Sequence, residues 1–162
     1  MDTNQTTADH ASLDCAAVRR SVKGLLLKLN FRSKLVGTHY LEEALMIKLL
    51  CQKQYVKVMD LYAAIAKYHG TKPSNVERAI RNTIADCHRN KTLQKINEEL
   101  GCNICDPKYP PTNSDFITEV SIRMQYLSQQ TAAHEADFAA HAQQFAKSSK
   151  GTHTREATHS QW

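Results

Sequence analysis

Apolar residues recur every three or four positions through most of this chain, which is the spacing of one face of an α-helix. No stretch alternates apolar and polar residues as a half-buried strand does, and no segment repeats. Only five glycines and four prolines occur in 162 residues, which favours helices over turn-rich sheets. The sequence therefore predicts an all-α fold with six helices, at about residues 12–29, 39–52, 55–69, 72–89, 92–100 and from 112 onward.

The chain divides by composition into a domain and two tails. Residues 1–11 are polar and acidic, and we expect them to be disordered, whereas residues 12–128 form the predicted helical domain. Residues 129–162 are rich in Ala, Gln and His, which predicts a tail that is partly helical or disordered. The first residues lack the apolar core of a signal peptide, and no apolar run is long enough to cross a bilayer. We therefore expect a cytoplasmic, nucleoid-associated protein without membrane contact.

The net charge of +5 is concentrated in one window of the chain. Between Ile65 and Lys95 there are seven basic and two acidic residues, whereas the remainder holds 14 of each. Positive charge gathered in this way suits a polyanionic partner such as DNA.

Within that window, a very tight turn separates the third and fourth helices. Ala66 is small enough for two helices to cross closely, and Gly70 tolerates the left-handed backbone that a turn needs. Val76 and Ile80 then follow at the spacing that anchors a second helix on the core. This order is typical of a helix-turn-helix at about residues 57–89.

The sequence is compatible with two starts for the fourth helix, two residues apart. Pro73 suits a first helical position, because its missing N–H would have no partner there in any case. Ser74 and Glu77 also fit a capping box, which would place the start slightly later.

The fourth helix divides into two faces on a helical wheel, with an apolar set clustered within about 100° and a polar set opposite. A recognition helix in the major groove needs this division, because Arg can bind guanine bidentately and Glu can accept from cytosine. An ordinary antiparallel helix pair with a solvated charged face has the same pattern, and spacing alone does not separate the two. The apolar face holds Val76, Ile80, Thr83, Ile84 and Cys87, and the polar face holds Ser74, Glu77, Arg78 and Arg81.

Three motifs in this chain resemble one known family. The stretch IAKYHGTKPSNVERAIRNTI, residues 65–84, resembles the recognition region of the sporulation initiation response regulator, stage 0 sporulation protein A. Downstream, PTNSDFI is close to that family's PTNSEFI. Upstream, the family's G-x-x-YL-x-EA pattern is matched by Gly37, Tyr40, Leu41, Glu43 and Ala44. Together the three motifs span about residues 22–127, the length of the family's C-terminal DNA-binding effector domain.

The resemblance implies a six-helix domain that binds double-stranded DNA at short boxes of the TGTCGAA type. Family members bind tandem boxes as head-to-tail dimers and contact the polymerase sigma factor, partly through the region that reads RNKTLQKINEE here. Four positions depart from the family: Lys72 replaces a usual threonine and can contact phosphate, Asn75 replaces a frequent arginine, and Asn82 and Thr83 replace a histidine and an alanine. The DNA-contacting positions implied by the resemblance, with these replacements, are Lys72, Ser74, Asn75, Glu77, Arg78 and Arg81.

The family's receiver domain is far longer than the roughly twenty residues that precede the match here. We therefore expect a sequence-specific transcription regulator that acts without a phosphorylatable receiver. The alternative is a non-enzymatic interaction module that keeps the fold and modulates the polymerase sigma factor or a full-length regulator. Intact base-facing residues favour the regulator.

Other side chains carry weaker signals. Cys102 and Cys105 have the spacing of half a zinc site, but a tetrahedral site needs two more ligands. The five cysteines are an odd number outside a secretory context, so we expect reduced thiols. No nucleophilic, acid–base or phosphate-loop arrangement stands out. We therefore expect no metal, no cofactor and no enzymatic activity.

Overall fold

The computed structural model describes the backbone of residues 5–51 and 55–150 and the side chains of residues 15–51 and 55–149. Within these residues the structure contains six helices and no strand, so the predicted all-α, six-helix fold is confirmed. In chain order the helices are α1 (Gln5–Lys28), α2 (Val36–Leu50), α3 (Val58–His69), α4 (Pro73–Arg89), α5 (Lys95–Leu100) and α6 (Asn113–Lys150).

Several helix ends differ from the predicted positions. α1 begins at Gln5 rather than near Ser12, because no Gly or Pro lies between them and polar residues alone do not end a helix. Residues 1–4 of the predicted N-terminal tail lie outside the described residues. α2 begins at Val36 and includes Gly37, whereas the sequence predicted a start near His39.

The core is formed by the apolar faces of the first unit's helices. α2 lies centrally and is buried on most sides, in agreement with its nearly continuous apolar sequence. α6 contributes Phe116, whose ring centroid lies 6.0 Å from that of Phe31 in the loop after α1. Full burial of one such large apolar side chain stabilises a fold by about 1.5–3 kcal/mol. The largest fully buried side chains include Val22, Leu29, Leu41, Leu45, Leu61, Ile65, Ile80, Ile84 and Ile117.

Gly37 allows α2 to approach α4 closely. A Cβ atom at this position would overlap the Ala79 carbonyl and the Thr83 hydroxyl, both on α4. The Thr83 hydroxyl donates to the Ala79 carbonyl at 2.9 Å, so the polar groups at this crossing are satisfied. Glycine is therefore required here by the closeness of two helices, and this contact fixes α4 against the core.

The chain divides into two compact units, residues 1–125 and residues 126–162, and α6 runs from the first into the second. In the second unit every described side chain is exposed, including Phe138 and Phe145. Residues 151–162, predicted to be disordered, lie outside the described residues. Among the helices of the described ranges, none combines the length and the apolar character that a membrane span requires.

Candidate nucleic-acid interface

The connection between α3 and α4 is three residues long and begins with Gly70. Gly70 has a φ of 65°, in the left-handed region that glycine adopts without strain. The amide N of Thr71 donates to the Ala66 carbonyl at 2.9 Å, a bond that closes the end of α3. Lys72 then takes an extended conformation at the N-cap, and Pro73 is the first residue of α4. Of the two starts considered, the structure has the one at Pro73, and Ser74 does not cap the helix.

α4 buries the face that the sequence predicted. All five residues of its apolar set are buried, and Val76 and Ile80 have no exposed surface at all. The opposite side of the helix, which we call the outer face, carries Ser74, Arg78 and Arg81, and all three are exposed. α4 is therefore fixed to the core along one side and presents hydrogen-bonding side chains along the other.

The six predicted DNA-contacting residues lie together in the first half of α4 and at its N-cap. Five of them are exposed, and Glu77 is half-buried. Arg81 forms an ion pair with Glu77 one turn earlier, and Asn75 donates to the Thr71 hydroxyl at 3.1 Å. Within the described part of the chain, Arg78 has no ion-pair partner. Its guanidinium therefore keeps all its N–H donors available for a bidentate contact.

Asn113, the first residue of α6, holds α4 from one flank. This residue is buried, and its Nδ2 donates to the backbone carbonyl of Glu77 at 3.0 Å. Its Oδ1 is also buried and accepts no hydrogen bond from the described residues. Burial raises the pKa of the neighbouring Tyr62 on α3, and a hydrogen bond from the Asn113 side chain partly offsets that rise. The PTNSDFI motif was visible in the sequence, but Asn113 received no role there. No local sequence pattern indicates that two residues 36 positions apart are in contact.

The charge around α4 is largely uncompensated. All seven basic side chains of the charged window are exposed, whereas its two acidic residues are already paired. Glu77 pairs with Arg81, and Asp86 lies 3.7 Å from Arg32 and 3.5 Å from Arg89. The surface therefore keeps a positive excess that would attract a polyanion. The exposed basic residues are Lys67, Lys72, Arg78, Arg81, Arg89, Lys91 and Lys95.

The cysteines offer little support for metal or redox chemistry. Among the described residues, no three His, Cys, Asp or Glu side chains converge in a way that could hold a metal ion. Burial raises the pKa of Cys102 and of Cys105, so both thiols favour the protonated form, which is a poor metal ligand. Burial also raises the pKa of Cys87, on the inner face of α4, to about 11.

The comparison with protein families gives the same assignment as the three motifs. A family model described as sporulation initiation factor Spo0A, C-terminal, matches residues 22–124. The match includes the last seven residues of α1, all of α2 to α5 and the first third of α6, and therefore all six candidate residues. That family is a DNA-binding output domain and not a family of enzymes. The chain therefore belongs to the Spo0A C-terminal family of DNA-binding effector domains.

Proposed function

We propose that this protein is a sequence-specific transcription regulator that inserts α4 into the major groove of double-stranded DNA. The outer face would contact the DNA, with Arg78, Glu77 and Ser74 directed toward base edges. Lys72 and Arg81 would contact phosphates, and Asn75 would lie at the edge of the contact. In this role α3 and α4 act as a helix-turn-helix.

The division of α4 into a buried and an outer face carries this proposal. The buried face and Asn113 fix the helix so that its outer face keeps one orientation relative to the core. Arg78 is exposed and unpaired within the described part of the chain, so it can bind guanine without first losing a partner.

A titration of duplex DNA with the purified protein tests this function. We expect tighter binding to a duplex that contains a TGTCGAA-type box than to a scrambled duplex of the same composition. Affinity for both should fall steeply with salt, because contacts to phosphates release counterions. Equal affinity for both duplexes at physiological salt would reject the sequence-specific function and favour an interaction module instead.

We further propose that two copies pair when they bind tandem boxes. Sedimentation of the protein with a two-box and a one-box duplex tests the pairing. We expect two protein copies on the first duplex, one on the second and a monomer in free solution. A stable dimer without DNA that is lost on deletion of residues 129–162 would assign self-association to the second unit instead.

The polymerase sigma factor is a further proposed partner, through residues 89–99 after the recognition helix. In this stretch Lys91, Lys95 and Glu98 are exposed, whereas Leu93 and Ile96 are fully buried. Lys95→Ala should therefore weaken binding to the sigma factor, with a smaller loss of affinity for DNA. Loss of both activities together would assign Lys95 to the DNA contact.

A further inference from the structure

An open groove of about 410 Å³ lies beside the outer face, between the start of α2 and α4; we call it the α2–α4 groove. Its walls include Val36 and Gly37 from α2 and Asn82 from α4. Asn82 and Arg89 lie within about 40° of Arg78 around the helix axis. The groove therefore borders the outer face of α4, which carries the residues proposed to contact DNA.

Two arginines and one carboxylate set the charge of this groove. Asp86 on α4 lies 3.7 Å from Arg32, which precedes α2, and 3.5 Å from Arg89. Both distances exceed those of good hydrogen bonds, so the guanidinium donors are not consumed by Asp86. The arginine side chains are 66% and 74% exposed, and the three groups sum to one positive charge. The groove thus presents the guanidinium groups of Arg32 and Arg89, one near each oxygen of the Asp86 carboxylate.

The dimensions of DNA indicate what this groove would meet. An α-helix with its side chains is about 10–12 Å across, and the major groove is about 12 Å wide. An inserted helix therefore has a phosphate backbone along each flank. One flank of α4 is covered by Asn113 of α6, and the opposite flank is the α2–α4 groove. The close contact at Gly37 fixes the position of α2 and its preceding loop relative to α4.

We propose that the α2–α4 groove binds a backbone phosphate of the DNA duplex, with Arg32 as its main contact and Arg89 as its second. This inference rests on the proposed function and adds a phosphate contact from outside α4. Asp86 holds the two guanidinium groups near each other before DNA arrives. A contact of this kind positions the recognition helix along the duplex and carries no sequence information itself.

The test measures affinity for a box duplex and a scrambled duplex over a range of salt concentrations. Arg32→Ala should weaken binding to both duplexes by about 3- to 10-fold, and the slope of log affinity against log salt should shrink by about one. Arg32→Lys should keep most of the slope because it keeps the charge. Arg19→Ala is the matched control, since Arg19 is also an exposed arginine 3.7 Å from a carboxylate, that of Glu42, but lies on α1 outside the groove.

Ethylation interference on the box duplex gives an independent readout. With the wild-type protein, ethylation of a phosphate beside the box should block binding, and Arg32→Ala should become insensitive at that same phosphate. Equal effects of Arg32→Ala and Arg19→Ala on affinity and slope would overturn the phosphate contact. A loss of discrimination between box and scrambled DNA would overturn it as well, because it would make Arg32 a base contact. A wild-type protein that binds no duplex at all would reject the proposed function and this inference with it.

Discussion

Gly37→Ala should destabilise the protein, although alanine is normally the better residue in a helix. Replacing a helical glycine by alanine usually stabilises a protein by about 0.5–1 kcal/mol. At Gly37, however, the new methyl group would overlap the Ala79 carbonyl, which belongs to the backbone of α4 and cannot turn away. Overpacking of this kind costs about 1–3 kcal/mol. The balance of these ranges predicts a net loss of up to about 2.5 kcal/mol in the free energy of unfolding.

Gly24→Ala provides the matched control for this prediction. Gly24 also lies inside a helix, but a Cβ atom there would have no heavy atom within 4 Å. The same substitution should therefore raise the free energy of unfolding by about 0.5–1 kcal/mol. Urea denaturation followed by circular dichroism measures both, and the midpoints should move in opposite directions with unchanged slopes. A Gly37→Ala midpoint that rose with that of Gly24→Ala would show that α2 and α4 are not in such close contact.

Three further predictions concern α4 and its supports. Arg78→Ala should weaken binding to the preferred box by about 1–3 kcal/mol and relax discrimination at one base pair. Lys72→Ala should instead weaken binding to all sequences about equally. Equal losses of affinity for box and scrambled duplexes in Arg78→Ala would make Arg78 a phosphate contact. Asn113→Ala should lower the free energy of unfolding by about 1–2 kcal/mol through loss of the bond to the Glu77 carbonyl, while the exposed Asn103→Ala should change it by less than about 0.5 kcal/mol. Burial raises the pKa of Cys87 from 9.0 to about 11, so the folded state holds the thiol proton more tightly than the unfolded state does. The free energy of unfolding should therefore decline as pH rises from 9 to 11, by at most about 1.4 kcal/mol per pH unit. Urea titrations at several pH values check this, and a Cys87→Ala protein that declined as steeply as wild type would contradict it.

The sequence predicted the helices and their faces well because both depend on local spacing. The buried face of α4, from Val76 to Cys87, follows directly from the period of the helix. The start of α2 was less predictable, because Gly37 resembles a break in the sequence and its place inside a helix depends on contact with Ala79. Local rules do not include that contact.

The parts of the site that join distant residues were beyond sequence reasoning. Arg32 and Asp86 are 54 positions apart, and only the packing of α2 on α4 brings them to 3.7 Å. Asn113 and Glu77 are likewise joined only by the position of α6 beside α4. Charge counting identified the basic window, but it did not show that Asp86 and Glu77 are paired while Arg78 is left unpaired among the described residues.

Selection from a random duplex library with the full 162-residue chain tests the sequence-specific function most directly, because it presupposes no box. We expect the bound fraction at physiological salt to enrich one short motif related to TGTCGAA over successive rounds. Arg78→Ala, selected in parallel, should enrich the same motif with one position degenerate. Bound duplexes with no common motif after the same number of rounds would contradict sequence-specific recognition by α4.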